Sequence, residues 1–88
     1  MHYVYILHLK KINKLYKGST NNVKRRLSEH KNNKVKSTNK KGPIKLIHVE
    51  CYILKVDAER REKFLKTTEG RRLLKQQLRD ILQQNNYK

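Results

Sequence analysis

The sequence predicts an α+β layered domain: an antiparallel-type sheet with helices, in the order β-β-α-β-α-α. Three observations predict it. The chain opens on "HYVYILHL", a β-branched and aromatic run with apolar side chains on both alternating sets. Later stretches carry apolar residues at helical spacing. Polar segments, one ending in Gly42-Pro43, separate these elements. At 88 residues the chain has room for one domain, expected over 1–84, with 85–88 fraying.

The elements follow in order. Residues 2–9 suit a strand covered on both faces. Lys10 to Asn13 are polar enough to turn, and Leu15 to Ser19 can pair back as a second strand. Asn21 or Asn22 offers an N-cap for a helix to about residue 32. Lys31 to Lys45 is rich in lysine and free of acids, and reads as an exposed loop. Ile44 to Leu54 is a third strand. Asp57 can cap a second helix to about Lys66. Thr67 or Thr68 can open a third, with Leu74, Leu78, Ile81 and Leu82 as its apolar stripe.

Charge narrows the function. There are 23 Lys+Arg against 7 Asp+Glu, a formal net charge of +16. Such an excess repels itself and favours an anionic partner. Nucleic acid leads, because neutralising phosphates releases condensed counterions. A membrane surface is disfavoured by the absence of Trp and of any long apolar run. The apolar start is short, with no basic residues before it and no small-residue cleavage site after it, so no signal peptide is expected. The one cysteine, Cys51, excludes an intramolecular disulfide and a cysteine-based zinc site. In its apolar run it reads as a small buried hydrophobe. The chain is expected in the cytoplasm.

Several polar residues fall where a core is expected. At about 100° per residue, Val23, Arg26, Leu27 and His30 share one arc of the first helix. Ala58, Arg61, Glu62 and Leu65 share an arc of the second. An ionised carboxylate there needs a partner or a metal. An internal ion pair of Glu62 with Arg26 or another base is the plainer reading. A functional cleft is the other. By strand alternation Tyr3 and Tyr5 share a face, as do Tyr16 and Gly18. A hairpin brings Tyr5 near Tyr16, and Gly18 leaves room beside them. A phenol, two cations and a carboxylate suit phosphate-ester chemistry. His2, His8 and His48 lie in strand runs and read as packing or edge residues, and Phe64 and Leu65 as core.

These residues resemble a GIY-YIG nuclease domain. The family's Gly-Ile-Tyr and Tyr-Ile-Gly triplets correspond to Tyr3-Val4-Tyr5 and Tyr16-Lys17-Gly18. Its arginine and histidine one helical turn apart correspond to Arg26 and His30 in "KRRLSEH". Its Arg-Glu-x-x-Leu/Ile-Lys glutamate corresponds to Glu62 in "AERREKFLK". The segment "KSTNKKGPIKLIHVE" resembles the Thr…Pro-x-x-Leu connector of small stand-alone, excinuclease-like bacterial members.

The resemblance implies a small three-stranded antiparallel sheet flanked by helices. It also implies metal-dependent hydrolysis of a DNA phosphodiester, in DNA repair or recombination. Glu62 would bind Mg²⁺ or Mn²⁺, Arg26 would offset charge on the phosphate, and Tyr16 would act on the attacking water. Tyr5 and His30 would place water or shuttle protons. Three departures stand out. Tyr-Val-Tyr replaces Gly-Ile-Tyr, and Lys17 replaces the isoleucine of Tyr-Ile-Gly. Ser19 and Thr20 stand where many members carry lysine, and no clear late asparagine is present, since Asn85 and Asn86 lie in the tail. Two functions follow: an endonuclease, or a non-catalytic basic DNA- or RNA-binding module on the same fold. Both expect Lys24, Arg25, Lys34, Lys36, Lys40 and Lys41 to contact phosphates.

Overall fold

In this computed structural model, which describes residues 1–36, 38–39 and 42–87, the chain forms β1 (His2–Leu9), β2 (Lys14–Thr20), α1 (Val23–Lys31), β3 (Ile44–Tyr52), α2 (Lys55–Leu65), α3 (Thr68–Gln77) and α4 (Arg79–Gln84). The strands make one antiparallel sheet in the order β2-β1-β3. The expected α+β class and element order hold, with the last helix divided in two.

The hairpin turns through Asn13, which takes a left-handed φ of 51°, a conformation asparagine adopts more readily than most residues. The Asn13 side chain accepts from His8 Nε2 at 2.9 Å, which pins the turn to β1. Register then follows, with Tyr5 opposite Gly18, Ile6 opposite Lys17 and Leu7 opposite Tyr16. Against β3, the register shifts between Ile6 and Leu7, so Ile47 is the extra residue.

Central strand β1 is buried on both faces, as its two-sided apolar pattern requires. One face carries Val4 and Ile6. They pack with Ala58 and Leu65 of α2, Leu74 of α3, Leu78, and Leu82 of α4. Each fully buried aliphatic side chain contributes roughly 1.5–3 kcal/mol. The opposite face carries Tyr5 and Leu7, and His30 of α1 closes over it.

Capping explains where the helices begin. Asn22 accepts from the Arg25 amide at 3.0 Å, and Thr20 accepts from the Asn22 amide at 3.1 Å, tying the end of β2 to α1. Thr67 accepts from the Gly70 amide at 3.0 Å and opens α3. A Cβ at Gly70 would fall on the Phe64 carbonyl, so glycine lets α3 pack directly on the end of α2. Asp57 does not cap α2. The helix starts earlier, from Leu54, and Asp57 sits in its first turn, where a carboxylate also favours the helix dipole.

Four further expectations change. The third helix breaks at Leu78 (φ −100°, ψ 20°), yet Leu74, Leu78 and Leu82 all stay in the core. In the expected tail, Asn85 and Tyr87 pack on the domain. Asn85 is buried and donates to the Ile81 carbonyl at 2.8 Å, and the Tyr87 ring stands edge-on to His8 with centroids 5.4 Å apart. Cys51 is exposed, because it lies on edge strand β3 on the face that α1 covers incompletely. The lysine-rich connector is not wholly exposed, since Val35 and Thr38 are buried. No helix among the described residues is long and apolar enough to cross a membrane.

Candidate active site

Alternation along β1 and β2 sends Tyr5, Tyr16 and Gly18 to the face that α1 covers. The ring centroids of Tyr5 and Tyr16 lie 6.2 Å apart. His30 stands edge-on to both, at 5.6 Å from Tyr5 and 5.0 Å from Tyr16. Gly18 makes this possible. A Cβ there would fall on the Tyr5 hydroxyl and lie 2.9 Å from its Cε1, so any side chain would evict the Tyr5 ring.

The Tyr5 hydroxyl is the hub. It lies 2.9 Å from His30 Nε2. The charge of Arg26 and the neighbouring Tyr16 phenol also act on it electrostatically. Burial pushes the Tyr5 phenol up to about 12 against the Arg26 hydrogen bond, and the neighbouring Tyr16 adds to the rise. Tyr5 is therefore neutral at ordinary pH, a donor and relay and not a base. Burial, and then the Arg26 charge, push His30 below its ordinary value, with Glu29 opposing. The imidazole is accordingly neutral and able to accept a proton.

Arg26 does not pair with Glu62. Its guanidinium donates to Glu29 at 3.0 Å, one turn along α1, and both side chains are about one-third exposed. The Tyr5 and Glu29 hydrogen bonds raise its already high pKa. The permanent charge thus reaches from the tyrosine cluster toward solvent. It opens onto a groove of about 460 Å³ whose lining includes Arg25, Arg26, Lys55, Ser19 and His2.

Glu62 lies apart from the tyrosines. It projects from α2 on the other side of the sheet, where Ser19 donates to Oε1 and Lys66 to Oε2, each at 2.7 Å. Burial alone would raise its pKa, but the Lys66 and Ser19 hydrogen bonds hold it below the usual carboxylate range. Ser19 also lines the groove beside Arg26, so the carboxylate sits behind the groove wall. An ionised, mostly buried carboxylate with hard oxygen donors fits Mg²⁺ or Mn²⁺. Such ions are held by one or two carboxylates, with water and substrate phosphate completing the shell. Among the described residues no three His, Cys, Asp or Glu side chains cluster as a ready-made cage.

Two residues matter here that the sequence left without a role. Thr38 accepts or donates at His30 Nδ1 across 2.7 Å, and both side chains are buried. The Thr…Pro connector marked Thr38, but lysines around it hid its inward direction. Ser19 was seen only as a substitute for lysine. Arg61, on the Glu62 arc, is bound instead by Glu50. Its Nε and Nη2 donate to the two Glu50 oxygens at 2.9 and 3.2 Å, joining α2 to β3.

The basic residues disperse. Lys24, Arg25, Lys34 and Lys36 are exposed. Arg25 lines the groove with Arg26, while Lys24 lies on another surface of α1 beside Leu27 and Lys31. Lys40 and Lys41 lie outside the described residues.

Comparison with known proteins finds a family match and several relatives. Residues 1–76 match the family described as the GIY-YIG catalytic domain. The chain is 42% identical over 67 residues to a UPF0213 protein of Clostridium perfringens, covering 75% of this chain and 71% of that one. It is 40% identical over 75 residues to a UPF0213 protein of Staphylococcus haemolyticus, covering 84% and 90%. A UPF0213 protein of Haloquadratum walsbyi is 36% identical over 85 residues, covering 93% and 94%. No solved structure is a significant match.

Proposed function

The chain belongs to the GIY-YIG catalytic-domain family, and on that premise we propose that it is a divalent-metal-dependent endonuclease that hydrolyses DNA phosphodiester bonds. The observation that carries this reading is the meeting of Tyr5, Tyr16, Arg26 and His30 around the space that Gly18 leaves. So small a domain has little reason to gather two phenols, an imidazole and a guanidinium on one inner face for packing alone.

In this reading Glu62 holds Mg²⁺ or Mn²⁺. A cation bound there supplies Lewis-acid stabilisation of the charge that builds on the scissile phosphate. Arg26 binds the phosphate oxygens from the groove side and offsets their negative charge. Tyr16 orients the attacking water. As the water oxygen bonds to phosphorus and the P–O ester bond breaks, Tyr16 accepts the water's proton while passing its own hydroxyl proton on, and the leaving oxygen departs as an alkoxide that takes a proton from solvent. Tyr5 and His30 carry the Tyr16 proton inward, the Tyr5 ring lying beside Tyr16 and its hydroxyl 2.9 Å from the neutral imidazole. Arg25, which lines the groove with Arg26, holds a flanking phosphate, and Lys24, Lys34 and Lys36 add to the basic surface that draws the nucleic acid in.

A second reading, a basic nucleic-acid-binding module without cleavage, draws on one observation. Both Glu62 oxygens already accept hydrogen bonds, from Ser19 and Lys66. A cleavage screen over branched, flapped, single-stranded and duplex DNA, with and without Mg²⁺, separates the two. The nuclease reading expects Mg²⁺-dependent products. A protein that binds these substrates and cuts none is the binding module.

A further inference from the structure

Lys17, where the family pattern has isoleucine, marks a second feature that the proposed active site does not use. Lys17 lies opposite Ile6 and so faces the helices, away from Tyr16. There it joins Arg71 and Lys75 around a cavity of about 260 Å³, whose rim includes Lys14 and whose floor includes Leu74 and Tyr87. Helix α3 supplies Arg71 and Lys75 four residues apart, on one side of the helix. Lys75 Nζ lies 5.6 Å from the centre of the Tyr87 ring, so the packed C-terminal segment helps wall the space.

The balance of charge here is unusual. Among the described residues, none of Lys17, Arg71 and Lys75 has a carboxylate partner, and no acid lines the cavity. The nearby Lys66 is engaged by Glu62. Like charges around one partly apolar space repel, more strongly than in open water. Burial, and then the charges of Arg71, Lys75 and Lys66, hold Lys17 below its ordinary pKa. An isoleucine at this position would avoid that cost. A multivalent oxyanion would remove it, since the Arg71 fork and the Lys17 and Lys75 ammonium groups can donate to it together. A water's share of liquid volume is about 30 Å³, so the cavity has room for a phosphate group in place of several waters.

We propose that this cavity is a second phosphate-binding site, in which Lys17, Arg71 and Lys75 take a phosphate carried by a nucleic-acid backbone or by a free polyphosphate. It lies on the face of the sheet opposite Tyr5 and Tyr16, and it stands independently of whether the chain cuts DNA.

The test is an NMR titration of the whole chain without metal, with inorganic tripolyphosphate in one arm and a short DNA duplex in the other. The signals of Leu15, Lys17, Arg71 and Leu74 are followed. Both ligands, or either alone, shifting these signals supports the site, and the arm that does so identifies the phosphate's source. Arg71→Gln should weaken that binding about tenfold or more, the worth of one charge-assisted contact. Lys17→Ile, whose side chain suits the apolar floor, should do the same while keeping the fold. Arg60→Gln, which removes an equal charge elsewhere, should leave it intact. Signals that stay unmoved in both arms, or affinity that survives both Arg71→Gln and Lys17→Ile, would overturn the proposal.

Discussion

Thr38 Oγ1 lies 2.7 Å from His30 Nδ1, at the end of a buried chain of hydrogen bonds that starts at Tyr5. The Thr38 hydroxyl donates to the Val35 carbonyl at 3.4 Å, so its oxygen is left to accept from Nδ1–H. Nε2 then carries the free lone pair and accepts from the Tyr5 hydroxyl. The connector between α1 and β3 thereby sets which histidine nitrogen can take a proton.

Thr38→Val should therefore redistribute the tautomer. The ¹⁵N shifts of His30 should move from the Nδ1–H form toward the Nε2–H form. Leaving a buried donor without its acceptor should also cost about 1–3 kcal/mol in denaturant unfolding. Thr38→Ser keeps the hydroxyl and should retain the original shifts. Unchanged ¹⁵N shifts in Thr38→Val would contradict this role.

Gly18→Ala should destabilise the fold by roughly 1–3 kcal/mol, the usual cost of overpacking a core position. The added Cβ meets the Tyr5 ring and hydroxyl. Denaturant titration of Gly18→Ala, Tyr5→Ala and the double variant measures the coupling. Once the Tyr5 ring is removed, the cost of the methyl should largely vanish. Additive effects would mean that the two residues do not contend for the same space.

Stability should rise with pH through the range just below the ordinary histidine value of 6.5. His30 titrates lower in the folded state than in the unfolded chain, because burial and Arg26 disfavour its cation. Between the two values the unfolded state binds more protons, and stability increases with pH. The contribution is complete above the unfolded value and is lost as pH falls through that range. Urea unfolding of the wild type and of His30→Gln at several pH values should show a slope in the first that flattens in the second. Equal slopes would contradict the assignment.

Strand alternation alone put Tyr5, Tyr16 and Gly18 on one face, and helical spacing turned Arg26 and His30 toward it. Both patterns are local, and both are legible in the sequence. The partner of Arg26 was not. Periodicity showed that Arg26 and Glu62 each need a counter-charge, but α1 and α2 pack on opposite faces of the sheet, and each residue finds its partner one turn along its own helix, Glu29 and Lys66. The Arg26–Glu29 spacing was open to reading; the choice of face was not. Thr38 stayed hidden because a run of lysines describes the solvent side of a connector and says little about the single side chain that turns in. Cys51 misled for a similar reason: an apolar run fits a strand, but nothing local tells a central strand from an edge.

Cleavage of phosphodiesters through a cation held by a carboxylate, as proposed above, turns on Glu62. Wild type and Glu62→Gln should be compared on the same DNA substrates with Mg²⁺, measuring binding and cleavage side by side. The wild type should cleave, and Glu62→Gln should abolish cleavage while keeping affinity for DNA. Cleavage that survives in Glu62→Gln, or wild-type protein that binds every substrate and cuts none, would contradict it.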